Sequence, residues 1–345
     1  MSELHKFLFD GLPVRGMIVR LTDTWQEILA RRASNTTTGA YAQPVAQLLG
    51  EMTAAAALMQ ANIKFQGQLI LQIFGDGPVR VAVAEARPDL SLRATASVSG
   101  AVADDATLQD LVNLNHKGRC AITLDPADRQ PGQQPYQGVV PLEDAEHRSM
   151  NSMAEVIQHY MRQSEQLETT LVLAADDKVA AGLLIQRLPT EGGGNLAGQG
   201  ASAPQGIALE GNADPDEDYR RISILASSLT REELLGLDVE TVLRRLFWEE
   251  KVLRFPPQAG MLGPHFRCTC SRERVAGMIR GLGVQEAEEI LAERGDIEVG
   301  CDFCGKQYRF DAVDAAQIFT APKDQLPGSP TVQERSAAIA NAAGV

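Results

Sequence analysis

Gln68-Leu69-Ile70-Leu71-Gln72-Ile73-Phe74 runs into Gly75-Asp76-Gly77-Pro78, and Val79-Arg80-Val81-Ala82-Val83-Ala84 follows at once. Apolar residues stand at every second position on both sides of a glycine–proline turn. This pattern predicts two antiparallel strands joined by a tight hairpin. Gly75-Asp76-Gly77 is only superficially like a phosphate loop, and the hairpin accounts for it fully.

Upstream, Tyr41 to Asn62 carries Val45, Leu48, Leu49, Met52, Ala55, Ala56 and Met59 at helical spacing. An alanine-rich stripe of this kind predicts a helix seated close against a sheet. Met17–Leu21 is a short apolar strand, and Leu90–Val98 continues the meander. Cys120–Leu124 and Tyr136–Val140 are further β segments. Met150 to Gln166 is helical, and Thr169–Ala174 and Ala180–Gln186 form a closing pair of strands. Residues 1–188 thus form a mixed α/β core domain, with no catalytic constellation among them.

From Pro189 to Gly211 glycine recurs with almost no large apolar residue between, which is the composition of a flexible linker. Helix resumes from Asp218 through Phe255, with a capping-box pattern at Thr230-Arg231-Glu232-Glu233 and the stripe Val239, Val242, Leu243, Leu246, Phe247, extended by Trp248. That face either covers a core or becomes available to a partner. Pro256 and Pro257 stop the helix. The expected organisation is therefore α+β: a core over 1–188, a linker over 189–256, a small four-cysteine domain over 257–320, and an Ala-, Ser- and Pro-rich disordered tail over 321–345.

The 345 residues are 44% hydrophobic and 22% charged, ordinary for a globular protein. No run approaches the ~18 apolar residues of a membrane span. Met1–Gly16 lacks the features of a secretory signal, so the cytoplasm is the expected location. A net charge of −13 disfavours nonspecific nucleic-acid binding.

Four of the five cysteines cluster as Cys268-Thr269-Cys270, then 30 residues, then Cys301-Asp302-Phe303-Cys304. In a reducing compartment such clustering points to metal or redox chemistry. Four thiolates satisfy one tetrahedral Zn2+. Gly305 directly after the second pair suits a turn needing positive φ. Between the pairs, Ser271–Ile279 and Val284–Glu293 are expected helices, with Gly281 and Gly295 as C-caps, followed by a strand at Asp296–Val299. This segment can fold back and bring the pairs together. Cys-x-Cys is uncommon in structural zinc sites, and its thiols can also close as a strained, labile disulfide.

The Cys-x-Cys and Cys-x-x-Cys pairs 30 residues apart resemble those of the redox-regulated heat-shock holdases, the 33 kDa chaperonin (heat shock protein 33) family. Arg15–Thr22 (RGMIVRLT), Leu48–Met52 (LLGEM), Lys64–Gly67 (KFQG), Phe74–Pro78 (FGDGP), Tyr160–Gln166 (YMRQSEQ) and Ala180–Pro189 (AAGLLIQRLP) resemble that family's blocks as well. The resemblance spans Phe7 to about Phe319, excluding the glycine-rich stretch. It implies an ATP-independent chaperone, not an enzyme, inactive while reduced and zinc-bound. Oxidation would pair Cys268 with Cys270 and Cys301 with Cys304, release zinc, unfold the C-terminal region and expose apolar surface to unfolded client proteins. The active form is expected to be a homodimer, with no nucleic-acid or membrane partner.

Two other readings fit the cysteines by themselves. One is a thiol–disulfide oxidoreductase using Cys301 and Cys304, though no long helix follows to lower the thiol pKa. The other is a zinc-ribbon nucleic-acid binder, which the acidic balance opposes. Cys120, in an apolar β segment, reads as a buried small hydrophobe rather than a redox group. His265 reads as a surface histidine rather than a substitute ligand, and His116, His147 and His159 as structural.

Overall fold

The computed structural model describes residues 1–35, 38–128, 133–144, 146–188 and 215–320; the glycine-rich stretch and the tail lie outside them. In chain order the elements begin with β1 (Glu3–Phe9), β2 (Val14–Leu21), α1 (Asp23–Ala33), α2 (Gln43–Asn62), β3 (Gly67–Phe74), β4 (Val79–Ala86) and β5 (Ser91–Val98). Next come α3 (Leu108–Val112), β6 (Arg119–Pro126), β7 (Tyr136–Pro141), α4 (Met153–Ser164), β8 (Thr169–Ala175) and β9 (Ala180–Arg187). Then follow α5 (Pro215–Ser227), α6 (Arg231–Gly236), α7 (Val239–Leu246), β10 (Val252–Arg254), β11 (Gln258–Ala259) and β12 (His265–Phe266). The last are α8 (Arg272–Leu282), α9 (Val284–Arg294), β13 (Ile297–Gly300), β14 (Gln307–Phe310) and α10 (Ala312–Phe319). The chain divides into two compact units, Met1–Arg267 and one that begins at Cys268.

In the first unit, one sheet has the order β10-β1-β2-β9-β8, with β11 also pairing β1; the other runs β12-β5-β4-β3-β6-β7. The hairpin forms as expected, Phe74 facing Val81 across the turn. Helix α2 does not bear a single apolar stripe. Ala54, Ala55, Ala56 and Ala57 are all fully buried, because the helix packs against strands of both sheets and has no solvent face over that turn. Gly50 is where one sheet comes closest: a Cβ there would lie 2.4 Å from that of Ala175.

The other face of the β1-containing sheet is buried too. Along β2, Met17 and Val19 join the α2 core, while Val14 and Ile18 point to a second core. Along β9, Leu184 faces α2, while Leu183 and Ile185 face away. A period of two with both faces apolar needs cover on both sides. Ile222, Ala226, Leu229, Leu234, Val239, Val242, Leu243, Leu246 and Phe247 of the region after the glycine-rich stretch supply it. Phe247 meets Phe9 edge-on at 4.9 Å. Trp248, read as an extension of this stripe, is instead 75% exposed.

The expected capping box holds: Thr230 accepts from the Glu233 amide, and Glu233 accepts from the Thr230 amide. The expected helix through Phe255 does not. Helical backbone ends at Leu246, and Val252–Arg254 pairs with the edge of β1, facing Phe9 to Phe7. Phe247 leaves helical geometry as it packs on the β1 phenylalanines, and the chain beyond it takes up pairing that an edge strand offers. Helix α1, unanticipated from sequence, is anchored by buried Trp25, whose Nε1 donates to the Asp176 carbonyl at 2.7 Å.

Candidate metal centre

Cys268 and Cys270 lie on the loop entering α8. Ser271 caps that helix by accepting from the Arg274 amide. The Arg274 guanidinium reaches back to the Thr269 carbonyl at 3.1 Å and its hydroxyl at 2.9 Å, fixing the residue between the two cysteines. Cys301 and Cys304 occupy the turn joining β13 to β14, whose register runs from Ile297 facing Phe310 to Gly300 facing Gln307. Within the turn the Cys301 amide donates to the Lys306 carbonyl, and the Gly305 amide to the Cys301 carbonyl. Gly305 has φ +72°, as its place after the pair predicts. Gly281, expected as a cap, lies inside α8. The chain turns two residues later at Gly283, φ +99°, because the helix continues through Leu282.

The four sulfurs lie within 4.8 Å of one another, all partly buried. Cys268 and Cys301 Sγ are 3.6 Å apart, and Cys270 and Cys304 Sγ 3.4 Å. These separations far exceed the ~2.05 Å of a sulfur–sulfur bond. They approach the ~3.8 Å edge of a tetrahedron with ligands ~2.3 Å from its centre. All four are free thiols. The donor set therefore fits a tetrahedral thiophilic cation. Cys304 donates to Cys301 and holds that thiol down to about 4, while the same bond and burial push Cys304 up. Burial raises Cys268.

Residues with no sequence signal complete the surroundings. Tyr308, buried on β14, donates its hydroxyl to Cys270 Sγ at 3.1 Å. Arg272 donates to the Arg309 carbonyl and to Asp314 at 2.7 Å each, and stacks 4.2 Å over the Phe310 ring. It thereby ties the start of α8 to β14 and α10. The apolar core of this unit is small: Val275, Ile279, Ala287, Ile297, Tyr308, Phe310, Ala315 and Ile318.

The other singled-out residues lie elsewhere. Cys120 is fully buried on β6 between Ile73 and Val140, and burial pushes its thiol up to about 12, as befits an inert hydrophobe. His265 pairs with Ser91 through β12, and its ring lies 3.0 Å from the Gly263 carbonyl; it is not one of the clustered ligands. His116 and His147 flank Glu143 at the surface, and His159 lies on α4. After Cys304 the chain enters β14, not a helix, so the cysteine pair lacks the helix N-terminus that activates oxidoreductase thiols. Among the described residues no helix is long and apolar enough to cross a membrane.

Comparison with known proteins follows the same lines. The sequence model described as "Hsp33 protein" matches residues 2–311. The 33 kDa chaperonin of Chromobacterium violaceum is 43% identical over 318 residues, covering 92% of this chain and 94% of its own. That of Methylobacillus flagellatus is 42% identical over 329 residues, covering 95% and 97%. The crystal structure of a 33 kDa chaperonin (heat shock protein 33 homolog) from Thermotoga maritima superposes with a TM-score of 0.65 at 20% identity, covering 92% of this chain and 97% of that one; it shows a shared fold.

Proposed function

The chain belongs to the Hsp33 protein family, a family of chaperones, and we propose that it is a redox-regulated, ATP-independent holdase whose four-cysteine unit keeps it inactive while reduced. The observation that carries this reading is the convergence of four free thiols in a unit with a small apolar core. Functionally we divide the chain into a platform (1–188), a linker (189–256), a switch (257–320) and a tail (321–345).

Cys268, Cys270, Cys301 and Cys304 are the proposed ligands of one Zn2+, with Tyr308 orienting Cys270. Zinc held there supplies folding free energy, ~10–16 kcal/mol in small zinc domains. Oxidation removes the donors. Each pair of thiolates, Cys268 with Cys270 and Cys301 with Cys304, loses two electrons to form one disulfide, while one hydrogen peroxide per pair takes those electrons and two protons from solvent to become two waters. Without four thiolates the switch has too little core to stay folded.

The linker, which ends at residue 256, then loses the folded switch that follows it directly in the chain. Release of α5–α7 would expose Phe7, Phe9, Val14, Ile18, Leu183 and Ile185 on the sheet, and the helices' own apolar faces, to unfolded clients. These residues are the proposed client surface, with a homodimer as the proposed active form in the cytoplasm.

The test is peroxide treatment of the reduced, zinc-loaded protein at raised temperature. Release of about one zinc per chain should accompany new suppression of client aggregation. Peptide mapping should find the two disulfides within the two motifs. Equal suppression before oxidation, or suppression while zinc stays bound, would overturn the reading.

A further inference from the structure

The segment linking α7 to the four-cysteine unit is held as an edge strap. Arg254 faces Phe7, Leu253 faces Leu8 and Val252 faces Phe9; farther along, Gln258 faces Leu4 and Ala259 faces Glu3. The Phe255 amide donates to the Lys6 carbonyl, and the Asp10 amide to the Lys251 carbonyl. By the alternation of an antiparallel ladder, Lys6, Leu8 and Asp10 turn their backbone groups towards the strap, and Phe7 and Phe9 turn theirs towards β2.

The strap fits its edge poorly. Pro256 and Pro257 interrupt it and offer no N–H. Pairing also steps by one residue between the two pieces: 7 opposite 254, but 4 opposite 258. Its side chains anchor it at two points, Val252 and Arg254, whose guanidinium lies 3.0 Å from His5 Nδ1. Val252 is the residue that joins the second core, whereas Leu253 and Phe255 are 42% and 47% exposed. The ion pairs of Lys251 with Asp10 and Arg254 with Glu240 are at the surface, where such pairs add little. Strand β1 itself has no proline and pairs β2 without a break in register; its charged residues are Glu3 and Lys6, and Lys6 Nζ donates to the Ala61 carbonyl at 2.7 Å.

We propose that the β1 edge, vacated by residues 252–259, is a backbone-pairing site for an extended segment of an unfolded client. This rests on the holdase reading above and deepens it: the client is held by β-addition as well as by apolar contact. An incoming strand of about five residues without proline can pair along β1 with no step in register. Apolar residues at its alternate positions would meet Phe7 and Phe9, where Val252 now sits. Most unfolded chains contain such a segment, so the site is permissive by sequence and selective for extended backbone.

Amide exchange read residue by residue on the full chain tests this, with reduced and carboxymethylated lactalbumin as a permanently unfolded probe. On oxidation the Leu8 and Asp10 amides should exchange about tenfold faster or more, while that of Phe7, which pairs with β2, stays slow. Adding the probe should restore slow exchange at the first two. The substitution Leu8→Pro removes one edge donor without touching the β2 ladder, and should weaken probe binding by about tenfold. A slow Phe7 amide would verify that this variant folds; if it does not, exchange in the unsubstituted chain decides.

The inference is overturned if the edge amides stay slow after oxidation, or stay fast with the probe bound. It is equally overturned if they slow with protein concentration rather than with probe, which would assign the edge to a second copy. Aggregation suppression, measured on the same samples, separates the two proposals. Suppression without edge protection overturns this one alone; no suppression on oxidation overturns the holdase reading and this one with it.

Discussion

The α2 core and the four-cysteine unit hold themselves together by different means. Around α2, both sheets contribute fully buried side chains, among them Leu49, Met52, Leu58, Leu69, Leu71 and Ile73. Around the cysteines, a few apolar residues surround four thiols and a stacked Arg272. Burial is distributed, so no single chemical event abolishes it. A metal site concentrates stability in four atoms, and thiolates are the ligands an oxidant attacks first. One protein can therefore combine a durable platform with a unit that, under the proposed switch, one reaction dismantles.

Metal removal should expose this contrast most strongly. A strong chelator acting on the reduced protein should unfold the unit that begins at Cys268, at a loss of ~10 kcal/mol. Amide protection on α2 should stay unchanged in the same sample. Loss of both together would break the comparison. Leu243→Ala, in the helices covering the sheet, should cost about 2–5 kcal/mol, since Leu243 is 4% exposed. That loss should appear as partial aggregation suppression by the reduced protein, with zinc content unchanged.

Glu51 sharpens the comparison from the platform side. Burial raises its carboxyl to about 7, against the opposing pull of Gln47 and Arg231. The folded state thus binds the proton more tightly than the unfolded state. Its stabilising contribution is full below about 4.5 and is lost as pH rises to about 7, with a limiting slope of ~1.4 kcal/mol per pH unit. Urea unfolding of the reduced protein across that window should show the slope, and Glu51→Gln should flatten it. The smallest effect belongs to Tyr308→Phe. Losing the bond to Cys270 should cost the four-cysteine unit about 0.5–1.5 kcal/mol, read as faster thiol oxidation at fixed peroxide.

Local chemistry made much of this legible in advance. The spacing of Cys268, Cys270, Cys301 and Cys304, the positive φ at Gly305, the Thr230 capping box and the β3–β4 hairpin depend on residues close in sequence, or on ligand chemistry that tolerates few alternatives. Composition likewise set Cys120 apart as a core residue.

Tertiary structure decided what depends on distant partners. That α2 has no solvent face follows from two sheets closing over it, which its own periodicity does not encode. Val252–Arg254 became a strand because β1, more than 240 positions earlier, had a free edge to pair. Tyr308 and Arg272 serve the cysteines through contacts spanning 37 to 42 positions, with no motif to mark them. The pairing of the cysteines into two short motifs was written locally in the sequence, whereas burial and strand pairing arose only once the chain had folded.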